Sequence, residues 1–203
     1  MTHKTSSRRR FSALALAALL PLSIGLVACS KQDASPAPAA SAVSVAPGES
    51  YNTVAAQGKG FTAGAMMSSQ TAYVLFDPQC PHCGALWNAS LPLQSKMKFV
   101  WVPVSLMNAK STPQGAALLT AANPVQAMTA HETALLAGGS GMSASSSMTP
   151  ESEAAIKSNT LLFNSLGATS VPYIVAKNVR TGSVVTNSGA LSTAALATFL
   201  GMD

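Results

Sequence analysis

The sequence predicts an α/β domain in which strand, helix and strand come first, a run of helices follows, and strand, strand and helix close the chain. Three observations carry this. Tyr73-Val74-Leu75-Phe76 is a short apolar run closed by Asp77-Pro78, as a buried strand should be, and Gly84 to Leu91 reads as a helix directly after it. Lys98 to Val104 is rich in β-branched and aromatic residues, the signature of a second strand. Tyr173-Ile174-Val175-Ala176 and Ser183-Val184-Val185-Thr186 flank a turn containing Gly182, which reads as a hairpin.

In chain order, a short edge strand is expected near Tyr51–Ala56 and a central strand at Thr71–Phe76. The first long helix should run from about Pro81 to Lys96, with proline tolerated in its first turn. Thr112–Ala122 and Pro124–Leu136 each carry a proline near the start and Ala, Leu or Met along their faces, so both read as helices. Gly138 to Ser147 reads as a flexible loop. Thr149-Pro150-Glu151-Ser152-Glu153 opens a further helix with acidic residues where the helix dipole favours them, and Gly167 ends it. A last helix covers about Leu191–Leu200. The stretch 51–203 is thus one domain, with a helical insertion at about 110–166.

The chain ahead of this domain reads as an address and a tether. Lys4, Arg8, Arg9 and Arg10 form a basic start, and Phe11 to Ala28 is nearly all apolar, so 1–28 is expected to be an export signal. Leu26-Val27-Ala28-Cys29 is similar to a bacterial lipobox, which implies cleavage before Cys29 and a lipid on that cysteine. An uncleaved membrane anchor is the alternative, since the run is nearly long enough to span; Pro21 and Gly25 argue against it. Ser7-Arg8-Arg9-Arg10-Phe11 also resembles a twin-arginine signal, so the general and twin-arginine export routes both stay open. Residues 29–50 are rich in Ala, Pro and Ser and are expected to form an extended linker, serving either reach or simple spacing. Ser30 after the lipid-bearing cysteine is similar to an outer-membrane sorting choice. The expected place is the periplasm, held to a membrane by lipid.

Charge, recounted without the leader, removes the argument for one class of function. The full chain has a formal net charge of +5 from 12 Lys+Arg and 7 Asp+Glu, but four of the basic residues lie in the leader. The remainder carries eight basic against seven acidic residues, a net of +1, so the basic balance is no argument for nucleic-acid binding.

The chemistry is concentrated in Cys80-Pro81-His82-Cys83, at the strand-to-helix turn. At a spacing of three the thiols share one helix face and can close a small disulfide ring. Unpaired N–H groups and the positive dipole end of the helix stabilise a Cys80 thiolate, and a protonated His82 adds to this. Such thiols have pKa values of roughly 3.5–7.5. Cys80 is expected to be the exposed attacking sulfur and Cys83 the buried resolving one. A zinc site is the first alternative, but the other cysteine is Cys29 and the other histidines are His3 and His131, which supply no second ligand pair. A structural disulfide is the second, though so short a loop constrains the unfolded chain little. No metal and no cofactor is called for. Trp87 is expected in the core, His131 as an ordinary polar helix residue, and Asp77 as a solvated strand end, with an influence on proton transfer from Cys83 as the alternative. Met66, Met67, Met142 and Met148 lack the regular spacing of a Cu(I) site.

The element order resembles a thioredoxin fold with a helical domain inserted at its middle. Pro172, in Thr169-Ser170-Val171-Pro172-Tyr173, stands where that family places a cis-proline facing the C-x-x-C pair; a plain strand start is the alternative. Residues from about Thr71 to Leu200 resemble the Dsb family of periplasmic thiol:disulfide oxidoreductases, nearest its DsbC/DsbG branch. The resemblance rests on Phe76 to Cys83, on Val102-Pro103-Val104, and on Leu166-Gly167 before Val171-Pro172. It implies Cys80, Cys83 and His82 as catalytic residues and Val171 and Pro172 as the substrate-facing segment, where backbone pairs with an extended substrate. It further implies cysteine-containing exported proteins and a membrane redox partner as partners. Pro81-His82 and Val171 match the DsbA oxidase instead, and Ser30 to Gly60 is too short and polar for the isomerases' dimerisation domain, so a monomer is expected. A reductase or isomerase remains the alternative within the enzymes. Outside them, a chaperone-like or copper-handling module is the competing reading.

Overall fold

The stretch expected as an edge strand is a helix, α1 (Ser50–Gln57), entered through a 3-10 turn at Pro47–Glu49. Thr53 Oγ1 donates back to the Glu49 carbonyl at 2.9 Å, and one residue, Val54, is fully buried against the sheet. A single inward contact per turn suits a helix and gives no strand its alternation. The first strand comes later, at β1 (Phe61–Gly64), where Phe61 and Ala63 alternate inward. The computed structural model describes residues 44–143 and 148–203, which lie in one compact unit, Ser41–Asp203. The expected leader, the lipobox and Cys29 fall outside the described residues. Residues 45–50, expected as linker, belong to the domain, because Val45 N–H donates to the Ser165 carbonyl at 2.8 Å and Ser50 is buried.

β2 (Thr71–Phe76) leads into α2 (Pro81–Ser90), followed by β3 (Lys98–Pro103). α2 is shorter than expected. Pro92 has no N–H to continue the ladder, and a 3-10 turn at Leu91–Leu93 takes over. Three helices follow, α3 (Ser111–Thr120), α4 (Pro124–Leu136) and α5 (Pro150–Ser165). The chain closes with β4 (Tyr173–Lys177), β5 (Val184–Ser188) and α6 (Thr193–Leu200). The sheet has five strands in the order β1-β3-β2-β4-β5. β2 runs parallel to β3 and antiparallel to β4, so the strand that delivers the cysteines is central. This is a thioredoxin-like fold with a helical insertion.

β2 is buried on both faces, which is why its sequence reads as one continuous apolar run. Ala72, Val74 and Phe76 face a core that includes Trp87, Trp101, Met128 and Leu196. Tyr73 and Leu75 face a second core with Val54, Val102, Phe163 and Val175. Trp87 and Trp101 meet edge to face at 5.1 Å between ring centroids, so Trp87 is core, as its sequence context suggested. Of the three inserted helices, α4 packs against α2 and α3 against α5. The insertion therefore reaches the helix that carries the thiols.

Candidate active site

Cys80 occupies the N-cap of α2 with extended backbone (φ −96°, ψ 112°), and Pro81 holds the first helical position. Cys80 N–H donates to the Asp77 carbonyl at 3.0 Å, and Cys83 N–H to the Cys80 carbonyl at 2.9 Å, closing the turn. No side chain caps this helix, and its open N–H end is left to the sulfur. Val171–Pro172 is a cis peptide bond, and the Val171 carbonyl lies 3.6 Å from Cys80 Sγ, within reach of the thiol as donor. Cys80 is more covered than expected, with 4% of its surface exposed, because the Val171–Pro172 segment lies over it; Cys83 has none exposed. Both are free thiols, and His82 is exposed at the rim.

The two sulfurs have opposite electrostatics. Donation from Cys83 is the largest cause that lowers the Cys80 pKa to about 6; burial opposes it, while the N–H groups of Cys83 and His82 and the His82 charge add to it. Burial pushes the Cys83 thiol well above its ordinary range, reinforced by its bond to Cys80 and the negative charges nearby. One sulfur is poised as an anion and the other is kept protonated to donate to it.

Asp77 is not the solvated strand end that the sequence suggested. It is fully buried and accepts four hydrogen bonds, from Gln79 N–H (2.8 Å), Leu106 N–H (2.6 Å), Met107 N–H (2.9 Å) and Ser111 Oγ (2.7 Å). It thereby ties the cysteine turn to the loop after β3, on which Leu106 and Met107 are exposed.

His131 also departs from expectation. It is fully buried on α4; Met142 N–H donates to Nδ1 at 3.0 Å, which leaves Nε2–H to donate to the Pro78 carbonyl at 2.6 Å. Burial lowers its pKa, so the ring is held neutral. Gln114 Nε2 donates to the Ser140 and Met142 carbonyls, both at 2.8 Å. The first part of the loop expected to be flexible is thus anchored over the site; 144–147 lie outside the described residues.

Glu132, the next residue of α4, is a feature the sequence reading missed. It is 1% exposed, neither carboxyl oxygen has a hydrogen-bond partner, and burial together with the charges of Cys80 and Asp77 raises its pKa to about 8. A Cβ added to Gly84 would lie 2.5 Å from Glu132 Oε2, so the glycine after Cys83 admits the carboxyl. The helical stripe Val125, Met128, His131/Glu132, Leu135 was the available signal, since it turns two titratable residues toward the core.

Cys80, Cys83, His82, Val171 and Pro172 are therefore brought together at one end of the sheet, joined by Asp77, His131 and Glu132. Met66 and Met67 lie on the β1–β2 loop, and among the described residues no group of three or more His, Cys, Asp or Glu side chains is placed to hold a metal. No helix of the described residues is long and apolar enough to cross a membrane.

No family model and no curated protein matches the chain. Among solved structures it is similar to Proteus mirabilis ScsC in a transitional conformation, at 15% identity and a TM-score of 0.62, covering 77% of this chain and 78% of that one. It is similar to a periplasmic thioredoxin-like protein from Salmonella enterica serovar Typhimurium, at 15% identity and a TM-score of 0.60, over 74% of this chain and 93% of that one. It is also similar to the thiol-disulfide exchange protein α-DsbA2 from Wolbachia pipientis, at 16% identity and a TM-score of 0.57, over 76% and 94%. These likenesses establish the thioredoxin-like fold.

Proposed function

We propose that this chain is a periplasmic thiol:disulfide oxidoreductase that exchanges disulfides with cysteine-containing exported proteins through Cys80 and Cys83. The observation that carries this is the opposite poise of the two sulfurs, with the Cys80 pKa lowered to about 6 and that of Cys83 raised well above its usual value. Cys80 attacks or is attacked, a mixed disulfide forms, and Cys83 resolves it. His82 supports the thiolate with charge. Val171 and Pro172 offer backbone to an extended substrate beside the sulfur. Two neighbours in fold are described as a thiol-disulfide exchange protein and a periplasmic thioredoxin-like protein, which is consistent with this reading. Lipid attachment at Cys29, an outer-membrane tether, a membrane redox partner and a monomeric state complete the proposal.

A Cys80 pKa of about 6 lies between the values of about 7 and about 3.5 for thioredoxin and DsbA. The potential of the pair is therefore expected between their values of about −270 and about −120 mV. A reductase or isomerase is the second reading, favoured by a Cys80 pKa of about 6, nearer the thioredoxin value of about 7 than the DsbA value of about 3.5. Equilibration with glutathione buffers, followed by thiol trapping and mass measurement, tests both. A value near the upper limit supports a disulfide donor, and one near or below about −200 mV supports a protein kept reduced. If no Cys80–Cys83 disulfide forms at any ratio, the redox reading is wrong.

A further inference from the structure

Glu132 has no structural partner that accounts for its burial. A buried carboxyl with both oxygens unpaired is costly, and an apolar residue of similar volume would fill the same space at less expense. The ionisable groups close enough to act on it electrostatically are thiols and an acid: Cys80 at the N-cap of α2, Cys83 in its first turn, and Asp77 after β2. Its neighbour on α4, His131, is turned to Pro78 and Met142, and His82 lies on the exposed side of α2. No cation neutralises it, since Arg180–Asp203 is the sole ion pair among the described residues. Gly84 lets the carboxyl approach the residue next to Cys83 more closely than any side chain there would allow.

We propose that Glu132 accepts the proton of the Cys83 thiol when the mixed disulfide on Cys80 is resolved, an inference that rests on the exchange reading above. In the reduced protein burial, and after it repulsion from the Cys80 thiolate, keeps the Glu132 carboxyl protonated. Once Cys80 is bonded to a partner sulfur that repulsion is gone; burial still favours the acid, but the carboxyl ionises more readily, giving its proton to solvent. The carboxylate then takes the proton from Cys83 Sγ. The electron pair of the Cys83 thiolate forms the bond to Cys80 Sγ, the bond between Cys80 and the partner sulfur breaks, and the partner leaves as a thiolate with the bonding pair. Cys80 and Cys83 end oxidised to a disulfide, the partner sulfur reduced, and the proton on Glu132. Attack of a partner thiolate on Cys80 in the oxidised protein runs the same steps backwards, returning the proton to Cys83. Formation of the mixed disulfide is thus what readies the base.

The test uses the reduced protein mixed with excess glutathione disulfide, quenched in acid, with the glutathione adduct on Cys80 followed by mass at each pH. Wild type is expected to pass through the adduct quickly, with a resolution rate that rises through one inflection as pH increases. Glu132→Gln, which fills the same space, is expected to resolve about 10²-fold more slowly, to accumulate the adduct and to lose the inflection. Glu132→Asp keeps a carboxylate and should recover part of the rate with a shifted inflection. A folded Glu132→Gln protein that resolves at the wild-type rate with an unchanged pH profile overturns the inference. If that variant does not fold, an unshifted profile in Glu132→Asp overturns it equally. Cys83→Ala must accumulate the adduct in the same experiment. If it does not, the exchange reading fails, whereas accumulation there combined with wild-type behaviour of Glu132→Gln removes only the role of Glu132.

Discussion

Two sides of α2 do different work. On the sheet side, the Val171–Pro172 segment covers Cys80 and presents a carbonyl 3.6 Å from its sulfur. On the insertion side, α4 places Glu132 against Gly84 and fixes the Pro78 carbonyl through His131. Elements of the thioredoxin-like core thus set out the sulfur that meets a partner, while the inserted helices supply polar groups around the one that does not. A helical insertion that only filled space would need no buried carboxylate, so the difference points to a share in the chemistry.

The comparison is broken first at the sulfurs. Cys80→Ser should abolish exchange with a disulfide-containing peptide, while Cys83→Ala should accumulate peptide bonded to Cys80, read by mass under denaturing conditions. Unchanged activity in both variants would favour a binding module in which the thiols are incidental.

The next effect is on stability against pH. Glu132 carries a folded-state pKa above its unfolded one, from 4.5 to about 8. Its folded form therefore holds a proton that the unfolded form has lost, and stability falls as pH rises through that window, by at most roughly 5 kcal/mol. Cys80 acts oppositely in the reduced protein. Its pKa is depressed to about 6, so its contribution is present above the ordinary thiol value and is lost as pH falls toward 6. Urea unfolding of reduced wild type and Glu132→Gln at pH 5 and pH 9 separates the two. The variant should gain on wild type as pH rises, and a constant difference would contradict the burial of an ionisable carboxyl.

Asp77→Ala should cost about 2–3 kcal/mol in urea unfolding, because it takes the acceptor from the buried Ser111 hydroxyl and from the half-covered N–H groups of Leu106 and Met107. The smallest effect sharpens the contact across α2. Gly84→Ala is expected to destabilise by about 1–3 kcal/mol, the cost of overpacking less the gain in helix propensity. In a Glu132→Ala background the same change should be neutral or stabilising, a coupling that a double-mutant cycle measures directly.

What the sequence made legible follows from range. Cys80-Pro81-His82-Cys83 announces itself because strand, turn and helix are contiguous, and Val171-Pro172 did so only through a family resemblance. β2, β3 and the β4–β5 hairpin were readable because their apolar runs are short and bounded by turn residues. α1 was misread because Ser50–Gln57 has one buried apolar residue, Val54, and no periodicity to decide between helix and strand. Asp77 was misread because its donors Leu106, Met107 and Ser111 lie 29 to 34 residues further on, and no local pattern foretells a contact at that separation. His131 and Glu132 lay in plain view on the inward stripe of α4. The stripe shows that they turn inward, but only the packing of α4 on α2 shows that they reach the thiols.

The account's central claim is that two thiols three residues apart are held in opposite protonation states, and alkylation against pH tests it most directly. Reduced protein is treated briefly with iodoacetamide at each pH and the modified cysteine is mapped by mass. The account predicts modification at Cys80 alone, with a rate that titrates near pH 6, and a Cys83 that stays unmodified into alkaline solution. Equal labelling of both, labelling of Cys83 first, or a Cys80 rate that titrates near the ordinary thiol value of about 8.5 would contradict it.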